Sequence, residues 1–260
     1  MVNYSFSMDE LEYFMLIFCR VSCLIFAVPF FSMNNTPRRV RVGLSLMVAV
    51  LLYYTIPEKT IPEYSTLLGY AVLVLREVIV GLLMGFACNI CTTIVGFAGR
   101  IIDMEVGLSM ASLMDPMTKE NMSITGVIYN YTITLILLLT GIYEYILKAL
   151  AESFSLIPMG GAVFNSDRLL EAMLKFMADY VLISFRICLP MFAVMILLNA
   201  LLGILAKVAP QMNMFSVGMQ IKVLVGLCLL FLTMTMLPGI SDLIYTEIRT
   251  MMVAFVEAMM

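Results

Sequence analysis

Apolar residues along this chain fall into long runs separated by brief polar punctuation. Val78–Gly99, Asn121–Tyr143 and Val223–Ser241 carry no charged residue. A membrane-spanning helix needs about 20 predominantly apolar residues, and each run is of that order. Leu11–Phe31 and Tyr180–Ala206 are equally long but hold Arg20 and Arg186. Val42–Ile56 is shorter, bounded by Arg41 and by Pro57 and Pro62, and Tyr64–Leu75 extends the third run into a long or broken helix. The pattern predicts six apolar helices. Because a helix buried all round shows no stripe, periodicity does not say which face each one presents. Unbroken runs argue against a membrane β-barrel, whose strands alternate over about ten residues.

Two connections are long, Arg100–Glu120 and Glu144–Asp179. The second contains Pro158, Gly160 and Gly161, followed by the amphipathic stretch Asp167-Arg168-Leu-Leu-Glu171, and is expected at a surface. Residues 242–260 read as an amphipathic tail, with Asp242, Glu247, Arg249 and Glu257 among Ile, Met, Val and Phe. At the other end, Asp9, Glu10 and Glu12 stand where a secretory signal would be positive, so the first helix is expected to stay in the protein. With six alternating spans, loops on the side of Arg38, Arg39 and Arg41 carry seven Lys/Arg against five on the other. That split is too even to orient the chain by its cytoplasmic positive charge.

Composition strengthens the membrane reading. The chain is 62% hydrophobic and 13% charged, with a mean hydropathy of +1.03, whereas soluble domains carry about 25% charged residues. Too few polar residues exist to coat a water-soluble fold of 260 residues. The expectation is an all-α integral membrane protein, a single membrane-embedded helical domain over residues 1–260. A net charge of −3 without a basic run gives no support to a nucleic-acid partner, and none is expected. Histidine is absent, which removes histidine metal ligands, triads and proton relays. The six cysteines lie within apolar stretches, and Cys88-Asn-Ile-Cys91 lacks the strand–helix context of a redox motif. Neither G-x-S-x-G, Walker A nor HExxH occurs. No enzyme, cofactor or metal is expected.

Four groups of residues stand out. Arg76-Glu77 sits deep in an apolar run, where ionisable groups are costly and pair or face a polar interior. They serve either a neighbouring subunit or pore, or an interface at a helix break. Gly81 and Gly85 form a GxxxG that lets helix backbones approach closely. Residues 100–122 gather five methionines with Gly107 and Asp115-Pro116. Flexible, unbranched methionine conforms to irregular partners, so this stretch is either a gate element or a membrane-surface loop. Finally, Asn199 to Lys222 reads as two apolar helices joined by a Pro/Gln/Asn turn. It is a helical hairpin whose polar tip comprises Lys207, Pro210, Gln211, Asn213 and Lys222, with Gly203 in its first arm.

This last stretch resembles the signature of the FliR family of flagellar export proteins, whose injectisome counterparts share it. The similarity extends to Arg76-Glu77 with Gly81 and Gly85, to Gly99, Asp103, Gly107 and Asp115-Pro116, and to Pro29 and Pro37. It covers essentially the whole chain. The resemblance implies a structural subunit of the type III export gate, in the bacterial cytoplasmic (inner) membrane at the flagellar basal body. It implies assembly with FliP-like and FliQ-like membrane subunits as hairpins in a larger helical hetero-oligomer, contact with the export switch protein, and unfolded protein substrates in transit. It also assigns the loop about Val106–Met122 as a pore plug, with Val106, Gly107, Met110, Met114, Asp115, Pro116, Met117 and Met122 as its residues. The alternative is a small-molecule transporter or channel subunit whose path Arg20, Arg76, Glu77, Arg186 and Asn199 would line.

Overall fold

The computed structural model describes residues 8–32, 36–56, 64, 66–111, 113–114, 121–211 and 213–260. Its helices are α1 (Met8–Ala27), α2 (Arg38–Thr55), α3 (Leu67–Val106), α4 (Ile124–Leu139), α5 (Ile142–Leu156), α6 (Ser166–Val208), α7 (Met214–Thr233) and α8 (Leu237–Ala258). Between α3 and α4 lie a 3₁₀ turn, Leu108–Ala111, and a two-residue antiparallel ladder of β1 (Leu113–Met114) with β2 (Asn121–Met122). A second 3₁₀ turn, Met234–Met236, joins α7 to α8. The all-α membrane architecture expected from the sequence is the one observed.

The expected six spans are too many. Among the described residues, three helices are long and apolar enough to cross a membrane, namely α3, α6 and the run Ser216–Ala258, and a fourth is reached only by taking α4 and α5 together. Charge explains the shortfall in the first two helices: Asp9, Glu10, Glu12 and Arg20 lie in α1, and Arg38, Arg39 and Arg41 in α2. The apolar run Asn121–Tyr143 is divided by Gly141, whose φ of 82° is a conformation glycine adopts without strain. Much of the expected connection Glu144–Asp179 is helix. In α5, Ile142, Ile146, Leu150 and Phe154 form a buried stripe, while Glu144, Lys148 and Glu152 stay exposed at helical spacing. At 1.5 Å per residue, the 40 residues of α3 and the 43 of α6 make helices about 60 and about 65 Å long. Each is roughly twice the hydrocarbon thickness of a bilayer, about 30 Å.

Packing divides the chain into two units. The first comprises residues 1–91, 141–176 and 246–260. Its α1 turns Tyr13, Leu16, Ile17, Arg20, Val21 and Leu24 inward, the spacing of a single helical face, and packs along α2. The glycines Gly81 and Gly85 of α3 face α1. A Cβ at Gly81 would lie 2.2 Å from the Arg20 carbonyl oxygen, and one at Gly85 2.5 Å from Ala27 Cβ. The end of α8 buries Ile248, Met252 and Phe255. Val163 and Asn165 donate backbone hydrogen bonds to Met259 and Ala258 over 3.0 and 3.1 Å, tying down the amphipathic tail.

The second unit comprises residues 92–140 and 177–245. Here α3 and α4 touch at two glycines, where a Cβ on Gly99 would lie 2.2 Å from Gly126 Cα. Against α3, α6 places Ser184, whose hydroxyl is 3.3 Å from the Ile94 carbonyl, and Cys188, whose thiol is 3.2 Å from that of Ala98. Gly226 of α7 receives the Val106 side chain, which a Cβ there would approach to 2.4 Å. Outward, α6 and α7 expose Leu189, Leu197, Leu201, Val208, Leu224 and Phe231, the last 78% accessible.

Candidate functional site

Two buried carboxylates and one loop hold the polar chemistry of the described residues. In the first unit, Glu77 pairs with Arg20 rather than with its neighbour in sequence. The Arg20 Nε donates to Glu77 Oε2 over 2.6 Å, with both side chains fully buried. Arg20 Nη1 donates to the Ser153 carbonyl at 3.1 Å, and both Nη atoms reach the Ile157 carbonyl at 3.3 and 3.2 Å. Ser153 lies in the last turn of α5 and Ile157 caps it, so both carbonyls sit at the negative end of the helix dipole, which favours a cation. Ser153 sends its own proton to the Leu150 carbonyl and is left as an acceptor for Arg20 at 3.3 Å. The Phe154 ring lies beneath the guanidinium at 4.4 Å.

The other oxygen of Glu77 accepts the Gly160 N–H over 2.8 Å, and Arg76 donates to the Gly160 carbonyl at 2.8 Å. Arg76 and Glu77 thus share a tight turn, Pro158–Gly161, in which Gly160 has φ 69°. The helix is continuous through both residues. Three elements are fastened at one point, α1 through Arg20, α3 through Glu77 and the α5–α6 connection through Gly160. Neither Ser153 nor Gly160 is marked in the sequence as a partner. The one usable signal is that Arg20 and Glu77 are opposite charges in two apolar runs, each needing the other.

In the second unit the Met-rich loop is pinned at both feet. Asp103, 2% exposed, accepts the Thr125 N–H at 3.3 Å and the Thr125 hydroxyl. Ser123 caps α4 by accepting the Gly126 N–H at 2.9 Å. The carboxylate therefore meets an otherwise unpaired N–H at the positive end of α4. On the leading side, Val106 is buried and Gly107 turns the chain with φ 90°, its N–H bonded to the Asp103 carbonyl. Met110 then lies in the 3₁₀ turn, Met114 pairs with Asn121, and Leu113 pairs with Met122. Asp115, Pro116 and Met117 lie outside the described residues. Asp103 belongs to the sequence pattern quoted above, but nothing sets Thr125 apart in the sequence.

The hairpin tip is formed where α6 ends at Val208 and α7 begins at Met214. Lys207, Pro210, Gln211 and Asn213 are exposed there, and Lys222 lies half-buried two turns into α7. Among the described residues nothing comes within 4 Å of a Cβ placed on Gly203; it is Gly218 that meets the facing arm, 3.4 Å from Leu202 Cδ1.

Residues 11–248 match the model of the family described as bacterial export proteins, family 1. The flagellar biosynthetic protein FliR of Escherichia coli (strain K12) is 28% identical over 229 residues, covering 88% of this chain and 87% of that protein. FliR of Bacillus subtilis (strain 168) is 29% identical over 235 residues, 88% of each chain. FliR of Aquifex aeolicus (strain VF5) is 30% identical over 226 residues, 86% of this chain and 85% of that protein.

Proposed function

Since the chain belongs to family 1 of the bacterial export proteins, we propose that it is the FliR-type structural subunit of a type III protein export gate. It helps form the channel through which unfolded flagellar proteins leave the cell during flagellum assembly. It resides in the cytoplasmic membrane at the flagellar basal body. The observation that carries this reading is the family match over residues 11–248, together with FliR relatives aligned along nearly all of both chains. Its role is to build and close a conduit, with no catalytic step of its own.

The partners proposed are FliP-like and FliQ-like membrane subunits, joined by the export switch protein. Support comes from the outward faces of α6 and α7, where Leu197, Leu224 and Phe231 stand exposed in helices of one to two bilayer thicknesses. Apolar surface on that scale calls for lipid or for other hydrophobic chains. The loop from Val106 to Met122 is proposed as the plug. Its feet are fixed by Asp103, Gly107 and Ser123, while its middle is held within the described residues by a two-residue ladder alone. No observation favours the small-molecule transporter.

Native mass spectrometry of the tagged chain, taken from its own cells in mild detergent, tests the proposal. One copy of this chain with several copies of smaller hydrophobic proteins is the expected result. A monomer or homo-oligomer that binds a small solute would overturn it.

A further inference from the structure

Arg186 is a charge without an answer among the described residues of its own chain. It lies within the apolar part of α6, on an exposed face between Leu182, Phe185 and Leu189. Among the described residues it makes no side-chain hydrogen bond and no ion pair. Of the other arginines in apolar runs, Arg20 is paired by Glu77 and two carbonyls, and Arg76 donates to the Gly160 carbonyl. One turn beyond Arg186 stands Pro190. Proline has no N–H, so the helical bond to the Arg186 carbonyl is also missing.

Both groups border a cavity of about 460 Å³, lined in addition by Tyr129, Thr233, Thr235 and Met236. The hydroxyls there are already committed. Thr233 gives its proton to the Leu230 carbonyl and accepts from Tyr129, and Thr235 donates to the Leu232 carbonyl. What the cavity offers an incoming group is therefore a guanidinium with unused donors, set in an apolar rim of Ile187, Ile240 and Leu243. A guanidinium matches a carboxylate in two parallel hydrogen bonds. A charge inside an apolar span is tolerated when it is paired or lines a polar path.

We propose that Arg186 and the cavity beside it receive an Asp or Glu side chain from an apolar helix of a partner chain. This rests on the subunit reading above and adds the chemistry by which one partner is recognised. Charge complementarity selects the carboxylate, and the surrounding leucines and Phe185 select an apolar helix to carry it. The pair locks rotation and register of that helix against α6, which apolar contacts alone leave loosely specified.

The test counts partner chains co-purified with the full-length tagged chain from its own cells. Arg186→Leu, which removes the charge and leaves a helix that inserts readily, is expected to lower partner yield at least tenfold. Arg186→Lys keeps most of it. A photoreactive residue in place of Met236 is expected to crosslink to a partner-chain peptide containing Asp or Glu. Changing that acid to Arg is expected to rescue Arg186→Glu, a reciprocity that mere misfolding cannot produce. Undiminished yield for Arg186→Leu, or crosslinks to phospholipid alone, overturns the proposal while leaving the subunit reading intact. A wild-type chain that co-purifies with no partner at all overturns both.

Discussion

Glu77 and Arg20 illustrate how a few buried atoms can fix several helices at once. A charge removed from water is costly unless every lone pair and proton finds a partner. Here the Arg20 guanidinium reaches Glu77, Ser153 and Ile157, and Glu77 reaches the Gly160 N–H as well. Glu77→Gln leaves the guanidinium buried without a counter-charge. Removing one partner of such a pair costs about 3–5 kcal/mol, so this variant should unfold in detergent at a clearly lower temperature and support little or no flagellar assembly. Replacing both charges, as in Arg20→Met with Glu77→Leu, is expected to restore part of the stability, because no orphan charge remains. Thermal unfolding of the single and double variants checks both statements. An unaltered Tm for Glu77→Gln would count against the buried pairing.

At the scale of elements, the Met-rich segment departs furthest from a plain helical bundle. Its feet are bonded to α3 and α4 while the ladder Leu113–Met114 with Asn121–Met122 closes it upon itself. Deleting residues 108–122 should leave the helices folded, since Asp103, Thr125 and Gly126 remain. It should also let small ions cross the membrane, which a potential-sensitive dye in intact cells would register. An unchanged ion barrier would overturn the proposed plug role. Much of the helical order was legible in the sequence, because runs such as Val78–Gly99 and Tyr180–Ala206 need no partner to declare themselves. What hydropathy concealed was α5, whose Glu144, Lys148 and Glu152 dilute the average although Ile142, Ile146 and Leu150 are buried. It equally overcounted spans, since the apolar run Leu11–Phe31 leaves out Asp9 and Glu10, two of the four charges that α1 carries. The pairing of Arg20 with Glu77 was out of reach for another reason. The two lie 57 residues apart, and the close packing of α3 on α1 brings them together.

For the whole molecule, the exposed leucines, valines and Phe231 of α6 and α7 define the conditions under which it survives. Apolar faces of this extent are covered by lipid or by neighbouring chains. Expressed alone, the chain should accumulate poorly and aggregate in mild detergent. Co-expression with the proposed FliP-like and FliQ-like partners should raise the yield of monodisperse protein several-fold, as size-exclusion chromatography would reveal. Equal yields with and without them would show that lipid alone suffices.

The buried arginine also sets a timetable for synthesis. Arg20 emerges from the ribosome before Glu77, and well before the carbonyls of Ser153 and Ile157. At about 5–20 residues per second, α1 waits roughly 3–11 seconds for its counter-charge, and longer for the rest of its cradle. During that interval the nascent N-terminal helix holds an arginine with nowhere to go. Its charge finds these partners only once α3 and α5 arrive. A chain whose translation stops before Glu77 can never complete this step. It is left with a charge that only the finished fold pairs, so the contact that fixes the fold also separates complete copies from unfinished ones.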